Sequence, residues 1–301
     1  MEVHNIINEF KKLNQNVNYL SIKDIDFNNN RDFDFSNFQE PVVIRGLCKN
    51  TFAYQNWNID NIHHFFGNKK VKVENFSTEI DHFNCEVDRM SYYNMHDFVK
   101  KIDKKRIYMG EIELSDFNQP KLYDQVNNPI IKRSSWSSVI FFGKNSGSSM
   151  HTHVANDYIL NQIFGEKTIF LFDFYDNYNQ GLSFGNPCNP KHEIFLFDYN
   201  KNKPCNFRCI NHKNLKVYKV VLKPGDSLLI PPWWWHNAYS DDFSCSITKK
   251  YHRHDKSYLF KYPILLFYEF CCFIDHSFIM NIFSPYFYKY FTYYFIILII
   301  F

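Results

Sequence analysis

The chain lacks a basic run, a leader-like opening and a long uncharged stretch, and each absence lowers the expectation of one class of function. Lys and Arg number 34 against 31 Asp and Glu, for a net charge of +3. No cluster among them resembles a nucleic-acid-binding arm, so any RNA contact is expected from a folded patch. Met1 to Gln15 is polar, with Val3, Ile6, Ile7, Phe10 and Leu13 at helical spacing. That pattern predicts an amphipathic helix rather than a secretory leader. The eight cysteines are therefore expected as reduced thiols in an intracellular protein, cytoplasmic or nuclear. Cys205, Cys209 and His212 want a fourth zinc ligand, for which Cys188 alone is near, and free thiols are the preferred reading. Residues 258–301 are greasy, but Glu269, Asp275 and Lys289 interrupt them. The uncharged run from Tyr290 is shorter than the ~20 residues of a spanning helix.

What is present converges on one stretch. Ser148, His151 and His153 follow the glycine turn at Gly147, and Asp157, Gln162, Gly165 and Lys167 lead into the apolar run Thr168 to Phe172. Side chains two apart on an extended segment share a face, so His151 and His153 can address one metal. A third histidine, His236, closes the segment Pro231-Pro232-Trp233-Trp234-Trp235-His236. A His-x-Asp/Glu pair with a distant His is the spacing that holds non-haem iron with open positions, and here His153 stands where the carboxylate belongs. Lone histidines such as His4 and His96 are ordinary polar residues; the grouping of these three is what distinguishes them.

The motif Ser148-x-x-His151-x-His153, with Gln162-x-x-Gly165-x-Lys167 and Lys223-Pro224-Gly225-Asp226-x-Leu228-x-Ile230-Pro231-x-Trp233-Trp234-x-His236, closely resembles the JmjC, or cupin-like, iron and 2-oxoglutarate oxygenases over roughly residues 40 to 255. The run His236 to Phe243 is most similar to small family members that hydroxylate a modified tRNA base. The resemblance implies Fe(II) with 2-oxoglutarate as cosubstrate. It implies His151 and His236 as ligands, Lys167 on the far carboxylate of the cosubstrate, Ser148 as a supporting hydroxyl, and Thr248 at the place of a frequent family asparagine. In a second register His153 is the first ligand, Val154 or Ala155 fills the carboxylate slot, and Asp157 is the alternative carboxylate. The first register keeps strand parity and is preferred about two to one.

Short strands punctuated by glycine and proline predict a mainly β fold, a double-stranded β-helix or cupin jelly-roll, with N-terminal helices and a hydrophobic, helical C-terminal tail. Residues 1–40 form a helix and linker, 41–257 the JmjC/cupin-like domain, and 258–301 the tail. Strands are expected at Pro41 to Gly46, Val71 to Glu74, Arg106 to Leu114, Ser138 to Phe142, Leu215 to Leu222 and Ser244 to Thr248. Trp57 to Phe66, stopped by Gly67, reads as one helix, and Asn94 caps another. Asp24 to Asn30 reads as a polar link, Ser115 to Pro129 as a loop over the barrel mouth, and the segment after Phe172 through Asn214 as an irregular insert.

Two functional classes follow. The first is an Fe(II)/2-oxoglutarate oxygenase that hydroxylates a protein side chain or a modified tRNA base, with protein or tRNA as partner. The second is a non-catalytic cupin-like scaffold with a degenerate His-x-His site. A buried lysine is of no use to a drifting scaffold, which favours the first. The tail reads in order as a homodimerisation helix, a weak membrane anchor or translated non-coding sequence.

Overall fold

The computed structural model describes residues 20–27, 35, 38–75, 89–148, 151–153, 156–173 and 216–254. The opening helix, the insert from 174 onward and the tail lie outside them. Among the described residues thirteen strands make two sheets. The larger is built from β1 (Lys23–Asp26), β2 (Val42–Arg45), β3 (Val71–Asn75), β4 (Arg89–Tyr93), β5 (Ile107–Glu113), β6 (Ser137–Gly143), β8 (Asn156–Phe164), β11 (Ser227–Ile230) and β13 (Ser244–His252). Its order is β1-β2-β11-β8-β13-β6-β5-β3-β4. The smaller, in the order β10-β9-β12-β7, comprises β7 (Ser146–Gly147), β9 (Lys167–Asp173), β10 (Tyr218–Leu222) and β12 (Trp234–Ser240). This is the mainly β jelly-roll expected. Among the described residues no helix is long and apolar enough to cross a membrane.

The sheets enclose one buried cluster, and the outer side of the large sheet carries two more among the described residues. Tyr158 and Leu160 of β8 face Ile169, Leu171, Val220, Leu222, Leu228, Ile230 and Trp234 between the sheets. Ile159, one residue along, faces Phe35, Val42, Ile44, Leu229 and Tyr251 on the other side. A central strand covered on both faces reads as a nearly unbroken apolar run, which is why β8 shows no alternation in sequence. Among the described residues four α-helices, α1 (Phe52–Asn56), α2 (His63–Phe66), α3 (Met95–Lys101) and α4 (Lys121–Val126), stay on that outer side with Phe142, Ile163, Cys245 and Ile247.

Local chemistry explains the elements and corrects three expectations. Asn94 caps α3 by accepting from the Asp97 N–H at 2.8 Å. Gly225, at φ 93°, takes the left-handed position of the Lys223 to Asp226 turn, closed by Asp226 N–H to Lys223 O at 3.0 Å. Of the single helix expected from Trp57 to Phe66 only the last turn, α2, forms; α1 ends at Asn56, and residues 59 to 62 are turn. Thr51 caps α1 before Trp57, and the Asn58 and Asn61 side chains bind backbone between the helices, offering the chain a turn in place of a helical ladder. The polar link near Asp24 contains β1, paired in parallel with β2 and held by Arg45 Nε to Asp24 Oδ1 at 2.9 Å. Ser115 to Pro129 is not an open loop over the mouth. Leu114 to Phe117 form a 3-10 turn, α4 follows, and Phe117, Leu122 and Val126 are buried in the outer core. At about 1.5–3 kcal/mol for each such side chain, this burial anchors the segment.

Candidate metal and carboxylate site

The ligand segment is fastened to β12 by backbone bonds on both sides. Ser148 N–H donates to Ala238 O at 2.8 Å; His151 and His236 exchange N–H to O bonds of 3.0 and 2.8 Å; and Trp233 N–H donates to His153 O at 2.9 Å. Trp233 holds φ 69°, a left-handed conformation unusual for a side chain of its size, at the point where the chain enters β12. This lacing carries His151, His153 and His236 to one place, where one ring nitrogen of each lies within 4.8 Å of the other two. Ring centroids are 4.8 Å apart for His151 and His153, 4.3 Å for His151 and His236, and 5.0 Å for His153 and His236.

His236 is buried, the other two half-buried. Its Nδ1 is 3.0 Å from Trp234 O. A carbonyl only accepts, so Nδ1 carries the proton and Nε2 is left as the ligand atom. Burial, then the neighbouring His151, push the His236 pKa down to about 3, so the ring is neutral and needs no deprotonation to take a metal. Three neutral imidazoles suit zinc, copper, iron or nickel, and supply no negative charge to any of them. His153 also stacks on Tyr158, with centroids 3.7 Å apart and planes 10° from parallel.

Asp157, the alternative carboxylate, does not join the imidazoles. Strand parity sends it to the face of β8 opposite Tyr158, where Arg253 Nη1 holds Oδ1 at 2.6 Å and Arg133 stands 3.6 Å from Oδ2. Desolvation raises its pKa while the two guanidiniums pull against that rise.

Lys167 is 5% exposed and donates to Ser246 Oγ at 2.5 Å. Among the described residues no carboxylate comes within ion-pair distance of it, and desolvation drives its pKa down to about 8. A buried cation without a counter-charge is costly, and this one fits an incoming carboxylate. The turn that delivers it explains the Gln162-x-x-Gly165-x-Lys167 spacing. Gln162 Nε2 reaches the carbonyls of Phe164 and Gly165 and the Ser244 hydroxyl, each at 2.9 Å. Gly165 sits at φ 69°, where an added Cβ would lie 1.8 Å from Phe243 O. Only glycine passes there.

Register places the parts along the barrel. His236 faces Leu171 on β9, and Lys167 is four residues, about 13 Å of strand, further down. Ser148, bonded to Ala238 on both its N–H and its Oγ, falls between those levels, since Ala238 faces Ile169. Thr248 is buried, two residues beyond Ser246 on the same side of β13. Ser246, the residue in contact with Lys167, was not singled out in the sequence; its signal was the parity it shares with Thr248.

Three converging imidazoles that could hold a metal, and a buried lysine with no carboxylate beside it among the described residues, sit together in a cupin-like jelly-roll. The cupin-like domain family matches residues 31–257, and the chain belongs to this cupin-like, JmjC-type family. Over 231 residues it is 26% identical to the mouse (Mus musculus) tRNA wybutosine-synthesizing protein 5, with 70% of each chain covered. It is 24% identical over 239 residues to the human (Homo sapiens) protein of that name, and 23% over 240 to the chicken (Gallus gallus) one, at the same coverage.

Proposed function

We propose that the protein is an Fe(II)- and 2-oxoglutarate-dependent oxygenase that hydroxylates a modified tRNA base. The observation that carries the reading is Lys167, a buried ammonium without a carboxylate partner among the described residues, lying inward of three imidazoles in the same barrel. The strand distance between the two levels is about that of a lysine side chain followed by a five-carbon dicarboxylate. The name shared by the curated relatives supports tRNA over protein as substrate class.

His151, His153 and His236 would hold the metal, and Lys167, with Ser246 behind it, would pair with the far carboxylate of the cosubstrate. When bound, Fe(II) and 2-oxoglutarate supply a two-electron oxidation in which dioxygen gives one atom to a substrate C–H bond and one to succinate, with loss of carbon dioxide. Leu160, Ile169 and Leu171, buried in the core between the sheets, keep that interior apolar, which would strengthen a lysine-carboxylate attraction. Ser148, between the levels, and Thr248 would add hydroxyl contacts to the cosubstrate.

His153 in the carboxylate position favours a second reading, a cupin-like scaffold that binds without turnover. Succinate production by the full chain with Fe(II), 2-oxoglutarate and ascorbate, with bulk tRNA or with cell protein, separates the readings. Succinate stimulated by tRNA is expected; stimulation by protein alone would move the substrate class, and none in any arm would leave the scaffold.

A further inference from the structure

We propose that Tyr158 is the positioning residue for His153, a flat wall that sets the plane of the third imidazole; this rests on the metal-site reading above. An imidazole presents one lone pair in the plane of its ring, so the ring plane must contain the metal direction. A carboxylate in the same place has two oxygens and tolerates more rotation. Replacing a carboxylate by histidine therefore creates a need for orientation. His236 meets it with the bond from Nδ1 to Trp234 O. His153 meets it with the face of Tyr158, at 3.7 Å and 10°.

The wall is itself fixed. Tyr158 is buried on the central strand β8, packed into the core between the sheets with Leu160 and Trp234. It is paired in register with Lys250, whose Nζ lies 5.8 Å from the Tyr158 ring and 2.8 Å from Glu111 Oε1. Glu111 occupies a register shift of β5 at φ 54°, which turns its carboxylate toward β13. The order of support is thus Glu111, Lys250, Tyr158, His153. Tyr158 touches no reacting group; it acts through the ring it supports.

The test uses the full chain and Co(II) as probe, with affinity from competition against a chromophoric chelator and geometry from the visible spectrum. Tyr158→Phe keeps the flat face and should bind within about twofold of the parent, with the same spectrum. Tyr158→Leu should lose about tenfold or more in Co(II) affinity, in the range for groups that orient metal ligands, and its spectrum should approach that of His153→Ala. In a His153→Ala background the Leu change should add no more than about twofold. Should the Leu variant fail to fold, Tyr158→Met, flexible and of similar bulk, carries the same expectations. Parent-like affinity and spectrum in the Leu or Met variant overturn the proposal, as does a loss fully additive with His153→Ala, which would mean that Tyr158 acts through the fold. A parent that takes up no Co(II) overturns the metal-site reading itself.

Discussion

Removing the Lys167 ammonium should act in opposite directions on cosubstrate binding and on the stability of the ligand-free fold. In the absence of ligand the group is a buried cation whose pKa has fallen from 10.5 to about 8 through desolvation, with Ser246 as its hydrogen-bond acceptor. That gap corresponds to a cost of about 3 kcal/mol at neutral pH. Below pH 8 the folded and unfolded chains both carry the proton and the cost is full. Between pH 8 and 10.5 the unfolded chain binds more protons, so ligand-free stability rises with pH through this window. Lys249, also buried and also pushed down to about 8, adds a slope of the same sign. The share of Lys167 is therefore the difference between parent and Lys167→Met denaturation curves. Lys167→Met should raise ligand-free stability at pH 7 by up to ~3 kcal/mol, less the small loss at Ser246. The same change should weaken 2-oxoglutarate by about 2–5 kcal/mol, roughly 30- to 4000-fold, measured by calorimetry with Mn(II) present. In the parent, affinity should fall above pH 8 toward about tenfold per pH unit, because the lysine must take up a proton to meet the carboxylate. A Lys167→Met protein that is less stable at pH 7 and binds 2-oxoglutarate like the parent would refute the reasoning.

The remaining predictions concern the groups around that axis. His153→Asp should tighten Mn(II) or Fe(II) by roughly tenfold, since it adds a negative ligand, while His236→Ala should remove metal binding; equal affinities in all three proteins by chelator competition would dissolve the site. Asp157→Asn should cost about 3–5 kcal/mol in urea denaturation, because the buried Arg253 loses the carboxylate 2.6 Å from it, and should leave Mn(II) affinity within about twofold. A large loss of metal with intact stability would return Asp157 to the metal. Gly165→Ala forces a Cβ against Phe243 O and should destabilise by more than the ~1 kcal/mol of an ordinary glycine change, with weaker 2-oxoglutarate binding; a neutral melting temperature would contradict the turn geometry.

Local rules were legible where a residue type has one structural use. The Pro224-Gly225 turn, the Asn94 cap and the glycine before Lys167 each announce a backbone conformation, and each is found there. The pairing of His151 with His153 was readable from strand parity. Position in space was not. Asp157 lies within six residues of His151 and has the chemistry of the missing ligand, yet its strand turns it to the far face, where Arg253 arrives from the other end of the domain. Ser115 to Pro129 is polar enough to pass for a lid, but the three apolar residues it carries are the ones that dock it. Ser246 is silent in sequence because a serine in a strand has many uses, and only the arrival of Lys167 across the barrel gives it one.

On the oxygenase reading, the histidine at position 153 would tie the two ends of the barrel together through charge. With three imidazoles the ligands leave the full charge of a divalent metal to be met by whatever binds next, whereas a carboxylate ligand would already have met part of it. On the oxygenase reading a dianionic cosubstrate would answer two positive charges at once, the metal at one end and Lys167 at the other. Each charge raises the value of the ligand that joins them, and the linkage is reciprocal, so metal and cosubstrate strengthen one another by the same factor. Replacing the carboxylate by histidine therefore need not empty the site. On that reading it would shift the negative charge from the protein to the cosubstrate, make occupancy of the metal depend on the presence of the acid, and place the burden of holding the third ligand in plane on the packing beside it.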